Sequence, residues 1–171
     1  DMKSLRDDTV IKGLRLRNRM VLPPLPTNYG TTEGLVTDAI IQFYTERAKD
    51  VGLVIVEATA VQSNGRIVPG TLGLWEDEQI AGIGRLAAAI KGRGAAAVVQ
   101  LNHAGARCTP SGGELQGASP SGVAFRQDVA PFSLSQEQIA GMATAFADAA
   151  GRAAQAGFDG VEIHGAHMYL I

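Results

Sequence analysis

Cysteine is nearly absent. The single Cys108 among 171 residues rules out an internal disulfide and a thiolate metal cluster, and a reducing, cytoplasmic compartment is the expectation. Charge of one sign is also lacking. Fifteen Lys and Arg stand against 17 Asp and Glu, for a net charge of −2. That balance gives no electrostatic footprint for nucleic acid and no basic face for a membrane. No apolar run is long enough to span a bilayer, and "DMKSLRDD" lacks the apolar core of a signal peptide. Asp1 is not an initiator residue, so Met2 is read as the start. There is no low-complexity linker and no block of like charge. What remains is an ordinary globular composition, 46% hydrophobic, long enough for one domain with a real core.

Four apolar runs read as strands: "RMVLPPL" (19–25), "GLVIVEATAV" (52–61), "AAAVVQL" (95–101) and "FDGVEIH" (158–164). They are apolar on both faces, the pattern of buried parallel strands. Helices fill the gaps. Thr37 caps the first, which stops near Gly52. Asp77 caps the second, ending at Gly92 and Gly94. Ser135 and Gln138 form a capping-box pair ahead of the third, which Gly157 stops. "TVIKGLRLRN" reads as a hairpin turning at Gly13, and residues 103–133 as a long loop.

The β-α-β alternation predicts a parallel α/β sheet. An open doubly wound sheet usually carries a glycine-rich phosphate turn after its first strand, whereas here that strand runs into "PPLPTNYG". A (β/α)8 barrel instead carries its chemistry at the C-terminal ends of many strands. Glu57 and Thr59, Gln100 and His103, and His164 and His167 all sit at such ends. The barrel is the preferred reading. Four strands make half of one, and the chain is expected to stop just after the fourth.

All three histidines fall at strand ends, crowding one rim. The H-x-x-H pair His164 and His167 has two chemical readings. A metal site needs a third ligand, and Glu162 is the nearest candidate. The alternative is an oxygen clamp, in which two imidazoles donate to one carbonyl or phenolate and stabilise an enolate-like transition state. Tyr169 then stands as a proton donor beside it. Gln100 offers amide donors and an acceptor to a heterocycle edge or to a loop. Pro23, Pro24 and Pro26 make a rigid turn without N–H donors, either a shelf for a planar ring or a plain strand terminator. Glu57 and Glu162 are read as structural carboxylates, with Arg19 as the expected partner.

Taken together, "RNRMVLPPLPTNYG", "VGLVIVEATAV", "GRIVPGTLGLWEDEQI", "VVQLNHAG" and "AGFDGVEIHGAHMYLI" resemble the NADH:flavin oxidoreductases, the Old Yellow Enzyme family. The resemblance runs through nearly the whole chain, and "EIHGAH-x-YL" with "QL-x-HAG" is highly specific. It implies residues 1–171 as the N-terminal half of an FMN-binding (β/α)8 barrel, inactive alone and a homo-oligomer when complete. It implies that Pro23, Pro24, Leu25 and Pro26 pack along FMN, Ala60 contacts the ring through its backbone, and Gln100 bonds the pyrimidine edge. His164 and His167 clamp the substrate carbonyl, and Tyr169 gives the proton. NADH or NADPH is the implied reductant. The implied reaction is hydride transfer to the C=C bond of an enone.

Four departures from the family pattern stand out. Pro26 replaces a Thr or Cys that touches the flavin, with Thr27 as its substitute. Asn28 and Tyr29 occupy a region that contacts substrate in some relatives. Met168 stands where glycine is usual, and the family's phosphate-binding residues lie in the second half of the barrel. The same motifs are similar to the dienoyl-CoA reductase branch, which adds a 4Fe-4S cluster and acts on dienoyl substrates. A non-catalytic half-barrel module and a metal- or phosphate-dependent barrel lyase are the readings from other classes.

Overall fold

The computed structural model describes residues 4–108, 117–123 and 131–171. Strands β1 (Thr9–Ile11) and β2 (Leu14–Leu16) pair antiparallel. Lys12 and Gly13 between them both have positive φ, 46° and 88°, which is the primed turn that matches the twist of a hairpin.

The main sheet holds β3 (Val21–Leu22), β4 (Leu53–Ala60), β5 (Ala96–Asn102) and β8 (Gly160–Ile163), side by side in that order and all parallel. Helices α1 (Asp38–Arg47), α2 (Glu78–Lys91) and α3 (Gln136–Gln155) make the crossovers. One buried cluster joins Ile40, Tyr44, Ile83, Leu86, Ile90, Phe146 and Ala149 to Val54, Val56, Ala97, Val99 and Leu101. All three helices therefore cover the same face of the sheet. Sequential strand order with helices on one face is how a (β/α)8 barrel is wound, and a doubly wound sheet would have helices on both.

The other face starts from the alternation along β4 and β5. Leu53, Ile55, Ala96 and Val98 are half-buried between fully buried neighbours. Gln100 and Glu162 are in register on that face. On β8 the helix-side residues Val161 and Ile163 are 38% and 50% exposed.

The first strand is much shorter than the seven residues expected, because prolines at 23, 24 and 26 supply no ladder donors. Ser135 accepts from Gln138 N while Gln138 caps Ser135 N, so the capping box is present. Thr37 caps α1 as expected, but α1 ends at Ala48, before Gly52. Asp77 makes no cap. Its backbone is already helical, and its carboxylate accepts from Arg152 Nε at 2.7 Å. Arg17 of the hairpin segment donates to the carbonyls of Ala48, Val51 and Arg93. One guanidinium thus satisfies orphan carbonyls at the ends of both α1 and α2. Part of the expected loop 103–133 lies outside the described residues. Its described parts carry an unanticipated parallel pair, β6 (Ala118–Ser119) and β7 (Phe132–Ser133).

Candidate active site

The C-terminal ends of β3, β4, β5 and β8 form one rim. After β3 the chain runs through Pro23, Pro24, Leu25 and Pro26, with Leu25 58% exposed. Thr27 carries the first N–H after the last of these prolines, and it donates to Glu57 Oε1 at 3.1 Å. Glu57 is 1% exposed, and its other oxygen accepts from the Tyr44 hydroxyl at 3.1 Å. The same hydroxyl accepts from Glu57 N–H at 2.8 Å. Burial raises the Glu57 carboxyl above its ordinary range, against the lowering effect of these donors. The Tyr44 phenol is also pushed up, first by burial and then by the Glu57 charge. Tyr44 and Thr27, not Arg19, are therefore the partners of Glu57. Arg19 Nε is buried without a partner among the described residues.

Glu162 is partnered by Gln100, whose Nε2 donates to it at 2.7 Å. That leaves one N–H and the Oε1 of the Gln100 amide for another group. Ala60 is fully buried. Its N–H donates to Leu72 O and its carbonyl accepts from Leu74 N, so it offers no free donor to a ring. Asn28, with φ 59°, accepts from Gly70 N at 2.9 Å and locks its own turn. Tyr29 is 49% exposed and meets Phe43 edge-on, with ring centroids 6.2 Å apart.

His164 Nε2 and His167 Nδ1 face each other at 3.3 Å. Tyr169 closes the group, its ring centroid 5.0 Å from that of His164 and 6.4 Å from that of His167. Burial first, and His167 second, lower the His164 pKa, with Glu162 opposing, so His164 favours the neutral imidazole. At that distance one ring nitrogen can donate to the other, the direction being set by the tautomers. Between His164 and Tyr169 the chain reverses at His167 and Met168, with φ 60° and 56°. Tyr169 N donates back to Ala166 O at 3.4 Å. Two successive positive φ values mark a primed type I turn, and each costs a residue with a Cβ about 1–2 kcal/mol. Arg107 Nη1 donates to His167 O at 2.6 Å, and its guanidinium lies 5.4 Å from the Tyr169 ring centroid.

His103 does not join this pair. It is 1% exposed, its Nδ1 accepts from Gly105 N at 3.0 Å, and burial lowers its pKa to about 4. Its ring packs on Gly65, where a Cβ would lie 2.5 Å from Cδ2. Among the described residues no group of three or more His, Cys, Asp or Glu side chains is placed to hold a metal ion. Glu162, the third ligand considered for a metal, is bonded to Gln100. No described helix is long and apolar enough to cross a membrane.

The family model for "NADH:flavin oxidoreductase / NADH oxidase family" matches residues 9–171. The chain belongs to that family. It is 43% identical over 174 residues to the NADH:acrylate oxidoreductase of Vibrio harveyi, a match covering 99% of this chain and 17% of that protein. It is 42% identical over 166 residues to an NADPH dehydrogenase of Halalkalibacterium halodurans, covering 95% of this chain and 48% of that one. Among solved structures, the Old Yellow Enzyme homologue from Zymomonas mobilis superposes with a TM-score of 0.90 at 28% identity, covering 98% of this chain and 50% of that one. The chain thus spans about half of the shorter relatives and under a fifth of the V. harveyi protein.

The fold is that of the first four strands and three helices of the Old Yellow Enzyme (β/α)8 barrel, preceded by a hairpin. The flavin of this family is FMN and its reductant NADH or NADPH. The rim suits such a ring on two counts. The turn at 23–26 is apolar, donor-poor and anchored from beneath by Glu57, and Gln100 retains unused amide groups for a polar edge. Sequence reasoning missed Tyr44 and Arg107. Tyr44 carries only the weak signal of a phenol on the buried stripe of α1, and Arg107 carries none.

Proposed function

We propose that this chain is the N-terminal, substrate-clamping half of an FMN-dependent enzyme that reduces the C=C bond of α,β-unsaturated carbonyl compounds, and that the chain needs the other half of the barrel for activity. The observation that carries the reading is the 3.3 Å approach of His164 Nε2 to His167 Nδ1 beside the Tyr169 ring. The name of the V. harveyi relative supports the substrate class, since acrylate is an alkene activated by an adjacent carboxylate.

In this reading Pro23, Pro24, Leu25 and Pro26 hold FMN along the rim, and Gln100 bonds its polar edge. Bound FMN supplies the hydride that the β-carbon of the alkene accepts. His164 and His167 each donate one N–H to the carbonyl oxygen of the substrate. Negative charge grows on that oxygen as the β-carbon accepts hydride, so two fixed donors favour the transition state over the ground state. Donation by both rings requires the tautomers with His164 Nε2–H and His167 Nδ1–H. Tyr169 delivers the proton to the α-carbon as the charge collapses.

Stopped-flow measurement of the two half-reactions in the full-length protein tests this. Loss of one oxyanion donor costs ~10²–10³ in rate. His164→Ala should therefore slow reoxidation by cyclohexenone on that order, while flavin reduction by NADH or NADPH changes far less. Reoxidation of the variant at the wild-type rate would sink the clamp.

A further inference from the structure

We propose that Arg107 is a positioning residue for the histidine–tyrosine cluster, holding the His167–Met168 turn in the left-handed form that aims both imidazoles at one point. The inference rests on the clamp reading above.

The turn is weakly held by its own atoms. Positions with two positive φ values are dominated by Gly, Asn and Asp, and here they are filled by His167 and Met168. The internal hydrogen bond, Tyr169 N to Ala166 O, is long at 3.4 Å. The hold comes from the neighbouring strand end. Gly105 has φ 60° and lets the chain approach so closely that a Cβ there would lie 2.8 Å from Leu170 N. Leu170 N donates to His103 O at 3.1 Å. Arg107 then donates to His167 O at 2.6 Å, a charge-assisted bond.

The choice of carbonyl matters. His167 O belongs to the central peptide of the turn, the one between the two left-handed residues. Rotating that peptide converts one primed turn into the other, with Met168 at the negative φ that a residue with a Cβ prefers, and loosens the turn that carries the His167 and Tyr169 rings. A guanidinium gripping this oxygen blocks that rotation, and it also lies over the Tyr169 ring. One side chain from the β5 end thus fixes two of the three groups on the β8 end.

The test uses the FMN-loaded protein at full length, with two readouts. The first is reoxidation by cyclohexenone, read by stopped flow. The second is the set of ring-to-ring NMR contacts among His164, His167 and Tyr169. Arg107→Ala should slow reoxidation roughly tenfold to hundredfold, the effect of a misplacement near 1 Å, and weaken the contacts of the His167 ring. Adding Met168→Gly to Arg107→Ala should recover most of both, because glycine adopts positive φ freely. Should Arg107→Ala fail to fold, Arg107→Lys carries the test. Its single ammonium keeps the charge without the planar fork, and a smaller loss of the same kind is expected.

Wild-type reoxidation with intact ring contacts overturns the inference. So does a loss that Met168→Gly does not rescue while the contacts stay intact, since Arg107 would then act on the substrate itself. The ring contacts report on the turn whether or not an enone is the substrate. Failure of the clamp reading and failure of this inference are therefore distinguishable.

Discussion

Replacing Tyr44 with Phe removes one oxygen atom from the centre of the fold and leaves the ring in place. The ring is 1% exposed and meets Phe43 edge-on at 5.1 Å, contacts that Phe retains. Two hydrogen bonds are lost, from the hydroxyl to Glu57 Oε2 and from Glu57 N to the hydroxyl. Each leaves a buried polar group without a partner, at about 1–3 kcal/mol apiece. The carboxyl keeps the Thr27 N–H on its other oxygen and can take up a proton, which limits its share. The expected loss is about 3 kcal/mol near neutral pH, measured by urea unfolding.

The loss should depend on pH. The folded-state pKa of Glu57 is already raised, so its contribution to stability falls as pH rises from the unfolded carboxyl value through the folded one. Removing the Tyr44 donor raises the folded value further and extends that decline upward. Tyr44→Phe should therefore cost more at pH 8 than near pH 5, and the difference should vanish in a Glu57→Gln background. A loss below about 1 kcal/mol at pH 8, or one that does not change with pH, would refute the role given to this pair.

Two further outcomes follow from buried groups at the rim. The folded-state pKa of His103 is lowered to about 4 from an ordinary 6.5. Its contribution to stability is complete above the unfolded value and is lost as pH falls through the folded one. Acidification from pH 6.5 to 4 should cost about 3 kcal/mol that a His103→Gln variant does not lose, read by urea unfolding across that range. Gly65→Ala places a methyl 2.5 Å from the buried His103 ring, so chemical denaturation should show a loss of about 1–3 kcal/mol. A neutral result there would mean that the ring is free to shift.

Much of this fold is legible in the sequence because its signals are local. Gly157 stops α3 with φ 85°, Ser135 and Gln138 form their capping box three residues apart, and the β-branched run at 54–56 lies within strand β4. The His164, His167 and Tyr169 cluster was equally visible, since one strand end delivers all three. Contacts between segments left no such trace. Charge alone points Glu57 to Arg19, yet a hydroxyl from α1 and a backbone N–H satisfy it. Asp77 has the residue type of a cap, but its φ of −70° and ψ of −25° place it inside the helical region, so its carboxylate turns to Arg152. Arg107 depends on two loops meeting across neighbouring strands, an encounter that no spacing within "HAGAR" encodes.

Along β5, neighbouring positions answer to different masters. Ala97, Val99 and Leu101 face the helices, while Val98 and Gln100 face the interior of the barrel. A lineage can hold the first set constant for the sake of folding while the second drifts toward a new ligand. Two selective pressures then act on adjacent residues with little interference. The rim turns after β3 and β8 extend that freedom to exposed side chains such as Leu25 and Met168, so new chemistry can be tried there at small risk to the scaffold.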